Sequence, residues 1–355
     1  MKTPKTQERP TKLPGISIVI AARNESSNLR ANLIKILTQD YPTFEVIVID
    51  DHSTDETGSI LATYAHSHAH FKHGVSPAGI HGKKVAMTTG IQMASFEWIL
   101  TTDADCRPAT EQWLGSMVHH LGTNKLLLGY GPNTKTPGFL NAFSRFETTM
   151  TAIQYFSWAL AGRPYMGVGR NLMYHKSLFD RANGFKSHMD LKSGDDDLFV
   201  QDVAQEKTTG ICLDSSSFMY SATQETWQDF YRQKARHIST STRYQSIHKI
   251  GLTAFATAQM FFYPAFIAGC LMEQSLILWC IFFGTLVTKL LVFIPLSKKL
   301  DVHELFYAFP FFDMAYSLYL WALVPKVIGR NPIEWKSSGS TFRTSAQNKQ
   351  PNSSS

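Results

Sequence analysis

Cysteine is scarce in this chain, and the four present (Cys106, Cys212, Cys270 and Cys280) form no C-x-x-C pair. This excludes a disulfide framework or a cysteine-built zinc module and fits a reducing compartment. Met1–Pro14 has no apolar core of the kind a secretory leader needs, so the segment after it is expected to stay in the cytoplasm. Acids are missing from Tyr231–Lys249, where Arg232, Lys234, Arg236, Arg243 and Lys249 directly precede a long apolar stretch. Such a flank marks the cytoplasmic side of a membrane span and favours an anionic lipid surface. A nucleic-acid motif is also lacking, so the net charge of +6 points to the membrane and not to nucleic acid.

What is present falls into two parts. The mean hydropathy of -0.13 averages a mixed segment up to about Tyr244 with an apolar one from Gly251 to Pro325. Gly251–Met272 carries no charge and Ser275–Leu296 only Lys289. Each is long enough to cross about 30 Å of hydrocarbon. A third run, Leu305–Val324, contains Pro310 and Asp313 and is expected to be interfacial or re-entrant, because a carboxylate in hydrocarbon needs a partner or water. The expected organisation is a polar tail over 1–14, a catalytic domain over 15–230 and a basic interfacial segment over 231–250. Two or three membrane helices over 251–325 and a polar, disordered tail over 326–355 complete it.

Ile16–Ile20 and Phe44–Ile49 are short β-branched runs of the kind buried in parallel sheets, and Trp98–Thr102 is a third. Between the first two, Glu25–Leu37 reads as a helix with Leu29, Leu33, Ile36 and Leu37 on one face. Ser53-Thr-Asp-Glu56 has capping-box spacing and predicts a helix start. Alternating strands and helices define an open α/β, Rossmann-like sheet with functional loops at the carboxyl ends of its strands. Phe146, Met150, Ile153, Phe156 and Leu160 predict a helix that packs in the core or lies on a membrane. His66, His68, His70 and His73 alternate as in an exposed strand or loop, with no cysteine or carboxylate to complete a zinc site.

Three acidic clusters follow these elements: Asp50-Asp51, Asp103-Ala-Asp105 and Asp195-Asp196-Asp197. Asp103 and Asp105 offer hard oxygens suited to Mn2+ or Mg2+ on a diphosphate, although loop aspartates could equally cap a helix begun by Pro108. The third cluster supplies a candidate general base in Asp195 or Asp196, and mutual repulsion could raise one of its pKa values.

In order, Ala22-Arg-Asn-Glu25, Asp50-Asp-His-Ser-Thr-Asp55, Gly82-Lys83, Asp103-Ala-Asp105, Gly194-Asp195-Asp-Asp-Leu198 and Gln233-x-x-Arg236-His237 resemble the signature of inverting family-2 glycosyltransferases, in their membrane-anchored branch. The resemblance spans Ile16 to about Arg243. It implies a GT-A fold, a nucleoside-diphosphate sugar donor, most simply a UDP-sugar, and a divalent metal on Asp103 and Asp105. It assigns donor contacts to Ala22, Arg23, Glu25, Asp50, Asp51, Lys83, Asp103, Gln233, Arg236 and His237, with Asp51 favoured over Asp50 for the base or ribose. Lys84 is read as a solvated neighbour of Lys83. Aligned on Asp197-Leu198, Asp195 takes the place of the family's base, with Gly194 where glutamate is usual.

His237 replaces the commoner tryptophan, which opens the questions of acceptor type and processivity. Gly167-Val-Gly169-Arg-Asn171 resembles a family loop near the acceptor. The expected enzyme sits in the inner membrane, multi-pass, with its catalytic domain cytoplasmic. It moves a sugar to a lipid-linked or polysaccharide acceptor; a processive synthase and a catalytically silent scaffold are the alternatives.

Overall fold

Ile16–Ala22 is buried at every position, which requires cover on both faces of its sheet. Ile16, Ile18 and Ile20 join an apolar cluster with Leu29, Leu33 and Trp113, whereas Val19 and Ala21 join another with Ala86, Met87 and Ile91. The period of two sends alternate side chains to opposite layers.

The computed structural model describes residues 13–191, 193–204, 208–272 and 275–328; the expected tails lie outside these apart from 13–14 and 326–328. In chain order the first elements are β1 (Ile16–Ala22), α1 (Ser26–Leu37), β2 (Phe44–Asp50), α2 (Thr57–Ser67), β3 (Phe71–Val75), α3 (Lys83–Met93), β4 (Trp98–Asp103), β5 (Cys106–Pro108), α4 (Trp113–His119), β6 (Leu126–Leu128) and α5 (Phe139–Leu160). There follow β7 (Leu172–His175), α6 (Lys176–Arg181), α7 (Asp197–Val203), β8 (Thr209–Ile211), β9 (Met219–Ser221), α8 (Trp227–Ser239), α9 (Ser246–Met272), α10 (Leu276–Lys299) and α11 (Phe309–Ile328).

The main sheet runs β3-β2-β1-β4-β7-β6-β8, with β1 to β4 mutually parallel and β7 antiparallel to both neighbours. Chain direction across the sheet reverses beside β1, and ligands of open α/β sheets settle at that point. Register pairs Ala22 with Asp50 and Ala21 with Asp103, so two acidic clusters emerge side by side from the same sheet edge.

Several expectations are corrected. The capping box does not form: α2 starts at Thr57, while the Ser53 hydroxyl accepts from the Asn24 amide and Asp55 accepts from the Thr57 amide. These bonds tie the loop after β2 to the loop after β1, a tertiary use that outcompetes the local cap. Pro108 lies in β5, which pairs with β9, so Asp103 and Asp105 do not cap a helix at that proline. His66 belongs to α2 and His73 to β3, so the histidine alternation does not trace one strand or loop. Lys84 is buried, not solvated, and donates to the carbonyls of His188 and Leu191. It thereby anchors the segment leading to Asp195.

α9 and α10 are long and apolar enough to cross a membrane. They pack as an antiparallel pair through Phe266 and Phe282, whose rings lie 3.7 Å apart. Leu271, Leu276, Ile281 and Leu291 project outward with no protein cover. α11 differs, since Phe312, Tyr316, Tyr319 and Leu323 are buried while Leu318 and Phe311 are exposed. One face of α11 continues the core around Phe143 and Phe146 of α5. Asp313 is buried and accepts from Lys289 (2.9 Å), Gln259 (3.0 Å) and Tyr263 (2.8 Å), which supplies the partners its apolar setting demands.

Candidate active site

At the carboxyl ends of β1 and β4, the Lys83 ammonium lies 2.8 Å from Asp103 Oδ1 and 2.7 Å from Asp195 Oδ2. Lys83 opens α3 directly after Gly82, whose φ of 132° suits a residue without Cβ. The Gly82 amide donates to Asp51 Oδ2 at 3.0 Å, and Arg23 donates to the same oxygen at 3.3 Å. Asp51 is fully buried, with Oδ1 unpartnered among the described residues. Asp50 turns back to accept from the Ser53 amide, and the Ala22 carbonyl accepts from the Asp51 amide.

The acidic cluster splits by hydrogen bonding. Asp197 accepts from the Leu198 amide, Tyr244 and Thr240, and so is fully engaged. Asp196 caps α7 with one oxygen and accepts from the Gly169 amide with the other. Asp195 meets Lys83 through Oδ2, and its own backbone amide also favours the ionised carboxyl. Gly194 precedes it at φ 104°, and a Cβ there would lie 2.8 Å from Leu198. The glutamate usual at this position would be strained, which explains the departure.

Burial opposes ionisation of Asp195, but the Lys83 ammonium outweighs it and holds the carboxyl below its ordinary range. For Asp196 burial comes first and the charges of Asp195 and Asp197 add to it, pushing its carboxyl up to about 7. Burial also raises Asp197. Lys83 is raised despite burial, because Asp103, Asp195 and Asp196 surround it.

A cavity of about 1440 Å³ joins Glu25, Lys83, Asp103, Asp105, Asp195 and Asp196 with Gln233, Arg236 and His237 of α8. Ala22, Arg23, Asp50 and Asp51 are not in its wall; they connect to it through the Asp51–Gly82 bond. Reading the sequence alone missed Arg170, which lines the cavity, donates to Ser221 at 2.8 Å and has a buried Nε without a partner. Gly131 makes room for it, since a Cβ there would lie 2.2 Å from that nitrogen. The Gly-x-Gly-Arg loop was its signal. Glu147 of α5 was missed too: it pairs with Lys234 and accepts from Tyr319 in the cavity wall.

Asp103, Asp105 and Cys106 bring ligand atoms within 4.8 Å of one another. Two carboxylates fit a hard divalent cation. Burial and the adjacent carboxylates raise the Cys106 thiol, and a soft sulfur is a poor ligand for a hard cation.

A mixed α/β sheet carrying this acidic edge at its switch point has the GT-A fold. The fold resembles that of the mannosyltransferase PcManGT from Pyrobaculum calidifontis, solved in complex with GDP-Man and Mn2+, with a TM-score of 0.58 at 18% identity over 93% of this chain and 92% of that one. Residues 17–180 match the model of glycosyl transferase family 2. The chain is 37% identical over 91 residues to the poly-beta-1,6-N-acetyl-D-glucosamine synthase of Staphylococcus epidermidis, covering 26% of the chain and 22% of the relative. It is 22% identical over 251 residues to the probable glycosyltransferase YdaM of Bacillus subtilis, covering 66% of the chain and 56% of the relative.

Proposed function

We propose that the chain is a membrane-anchored, inverting glycosyltransferase that moves a sugar from a nucleoside-diphosphate sugar, of the UDP-sugar class, to a hydroxyl on a lipid-linked or polysaccharide acceptor. One observation carries this reading: a single cavity presents a carboxylate pair for a metal, a lysine bridging to a third carboxylate, and a helix face bearing Gln233, Arg236 and His237. Asp103 and Asp105 would hold Mn2+ or Mg2+, which when bound neutralises charge on the departing diphosphate.

The residues of the chain account for the rest. Asp51 and Asp50, with Arg23, Glu25 and the Ala22 backbone, form the nucleoside side of the site. Arg236 and Arg170 line the cavity and offer guanidinium groups to the diphosphate. Asp195 receives the acceptor's hydroxyl proton on Oδ1 as the acceptor oxygen bonds to the anomeric carbon and the bond to diphosphate breaks on the opposite face. Lys83 keeps Asp195 ionised for that step. His237 lies open to the cavity, where its ring can hydrogen-bond the acceptor.

The α9–α10 pair supports a hairpin in the membrane, because antiparallel packing returns Lys298 and Lys299 to the end that begins beside Lys249. Basic residues at both ends of one hairpin favour a cytoplasmic catalytic domain in the inner membrane. The division proposed is a catalytic domain over 15–230 with α8 bridging to the membrane part. Purified protein tested with a panel of nucleotide sugars, with and without Mn2+ or Mg2+, decides the reading: metal-dependent release of nucleoside diphosphate is expected, and its absence across the panel sinks it.

A further inference from the structure

Resting on that reading, we infer that the acceptor is an amphiphile whose hydrocarbon chain enters the cavity between α9 and α11. The cavity of about 1440 Å³ exceeds the roughly 300–1,000 Å³ of ordinary ligand pockets, so the donor leaves room for a second occupant. Its walls differ in chemistry. α5 contributes Glu147, Thr151 and Gln154, and α8 contributes Gln233, Arg236 and His237. α9 contributes Leu252, Ala256 and Met260, spaced by four and so on one helix face, with Thr253 and Thr257 beside them and Lys249 at the polar end; α11 contributes Tyr316, Leu320 and Leu323, with Tyr319 turned to Glu147.

A glycan chain lying along Leu252, Ala256, Met260, Leu320 and Leu323 would leave most of its hydroxyls without partners, whereas a hydrocarbon chain gains from the same surface. The outer faces of α9 and α10 are the uncovered apolar surfaces proposed above to meet lipid. A chain held along these faces would run from the membrane helices to the polar wall and its carboxylates. The accepting hydroxyl stays at the polar wall, near His237 and Asp195.

The test uses the full chain in phosphocholine nanodiscs and octyl β-D-glucoside bearing a diazirine in its alkyl chain. Photolysis followed by peptide mass spectrometry is expected to label 252–260 and 316–324, with octyl glucoside competing far better than methyl glucoside. Each buried methylene strengthens binding roughly fourfold, so three in the cavity give a ratio of roughly sixty. Ala256→Trp fills the passage and Leu320→Gln keeps its volume but removes its apolar character; both should abolish that ratio. Labelling confined to outward residues such as Leu271 and Ile281, or a ratio unchanged in both variants, overturns the inference. Since labelling requires no turnover, its failure is distinct from failure of the glycosyltransferase reading, which donor release measures in the same samples.

Discussion

Lys83 and Asp195, 112 positions apart in the chain, meet at 2.7 Å, and the same ammonium reaches Asp103 at 2.8 Å. The lysine therefore sits between the proposed metal-binding pair and the proposed base. Because its charge holds the Asp195 carboxyl down, Lys83→Gln raises the Asp195 pKa. The acid limb of kcat/KM should move to higher pH, and an unmoved limb would remove Asp195 from the role of base.

Asp195→Asn keeps shape but cannot take the acceptor's proton, so transfer should fall by roughly 10² to 10⁴-fold. Donor affinity should change little. Asp105→Asn should weaken metal and donor binding together. Calorimetric titration of donor with metal into both variants, beside transfer rates, separates the roles. Near-normal transfer by Asp195→Asn with a dead Asp196→Asn would shift the assignment by one residue.

Asp196, raised to about 7 from an ordinary 3.8, predicts a pH-dependent stability. The folded state binds a proton that the unfolded state releases above about pH 4, so stability declines as pH rises from there through about 7. At higher pH the charged carboxylate faces Asp195 and Asp197. The fall in Tm between about pH 5 and 8 should be smaller in Asp196→Asn than in the parent chain.

Excess chelator should abolish transfer, and Mn2+ or Mg2+ should restore it. Full activity in chelator rejects the assignment of Asp103 and Asp105 as ligands.

A fragment ending at Lys249 loses α11 and uncovers Phe143 and Phe146, which the intact chain buries. Such a fragment should aggregate without detergent, measured by light scattering. A monodisperse fragment would mean that the α5 face closes on itself.

β1, β2 and β4 were legible because strands covered on both faces must be apolar throughout, and the aspartates at their ends stand out against those runs. Of the residues named by the ordered motifs, Glu25, Lys83, Asp103, Asp105, Asp195, Asp196, Gln233, Arg236 and His237 share one cavity wall. Lys84 was not legible, since the carbonyls that receive it lie 104 and 107 residues away. Glu147 and Tyr319, separated by 172 residues, show no local pattern that joins them. The capping box at Ser53 failed because Asn24, not the next turn, took its hydroxyl. Spacing reports local chemistry, and these contacts are set by the packing of distant segments.

The Lys289–Asp313 pair has a consequence for how the helices assemble. With α9 and α10 in a bilayer as proposed, a chain lacking α11 would leave the Lys289 ammonium in hydrocarbon with Gln259 and the Phe262 ring beside it. Asp313 is supplied by α11, so the Lys289 charge is neutralised only once that helix packs against the hairpin.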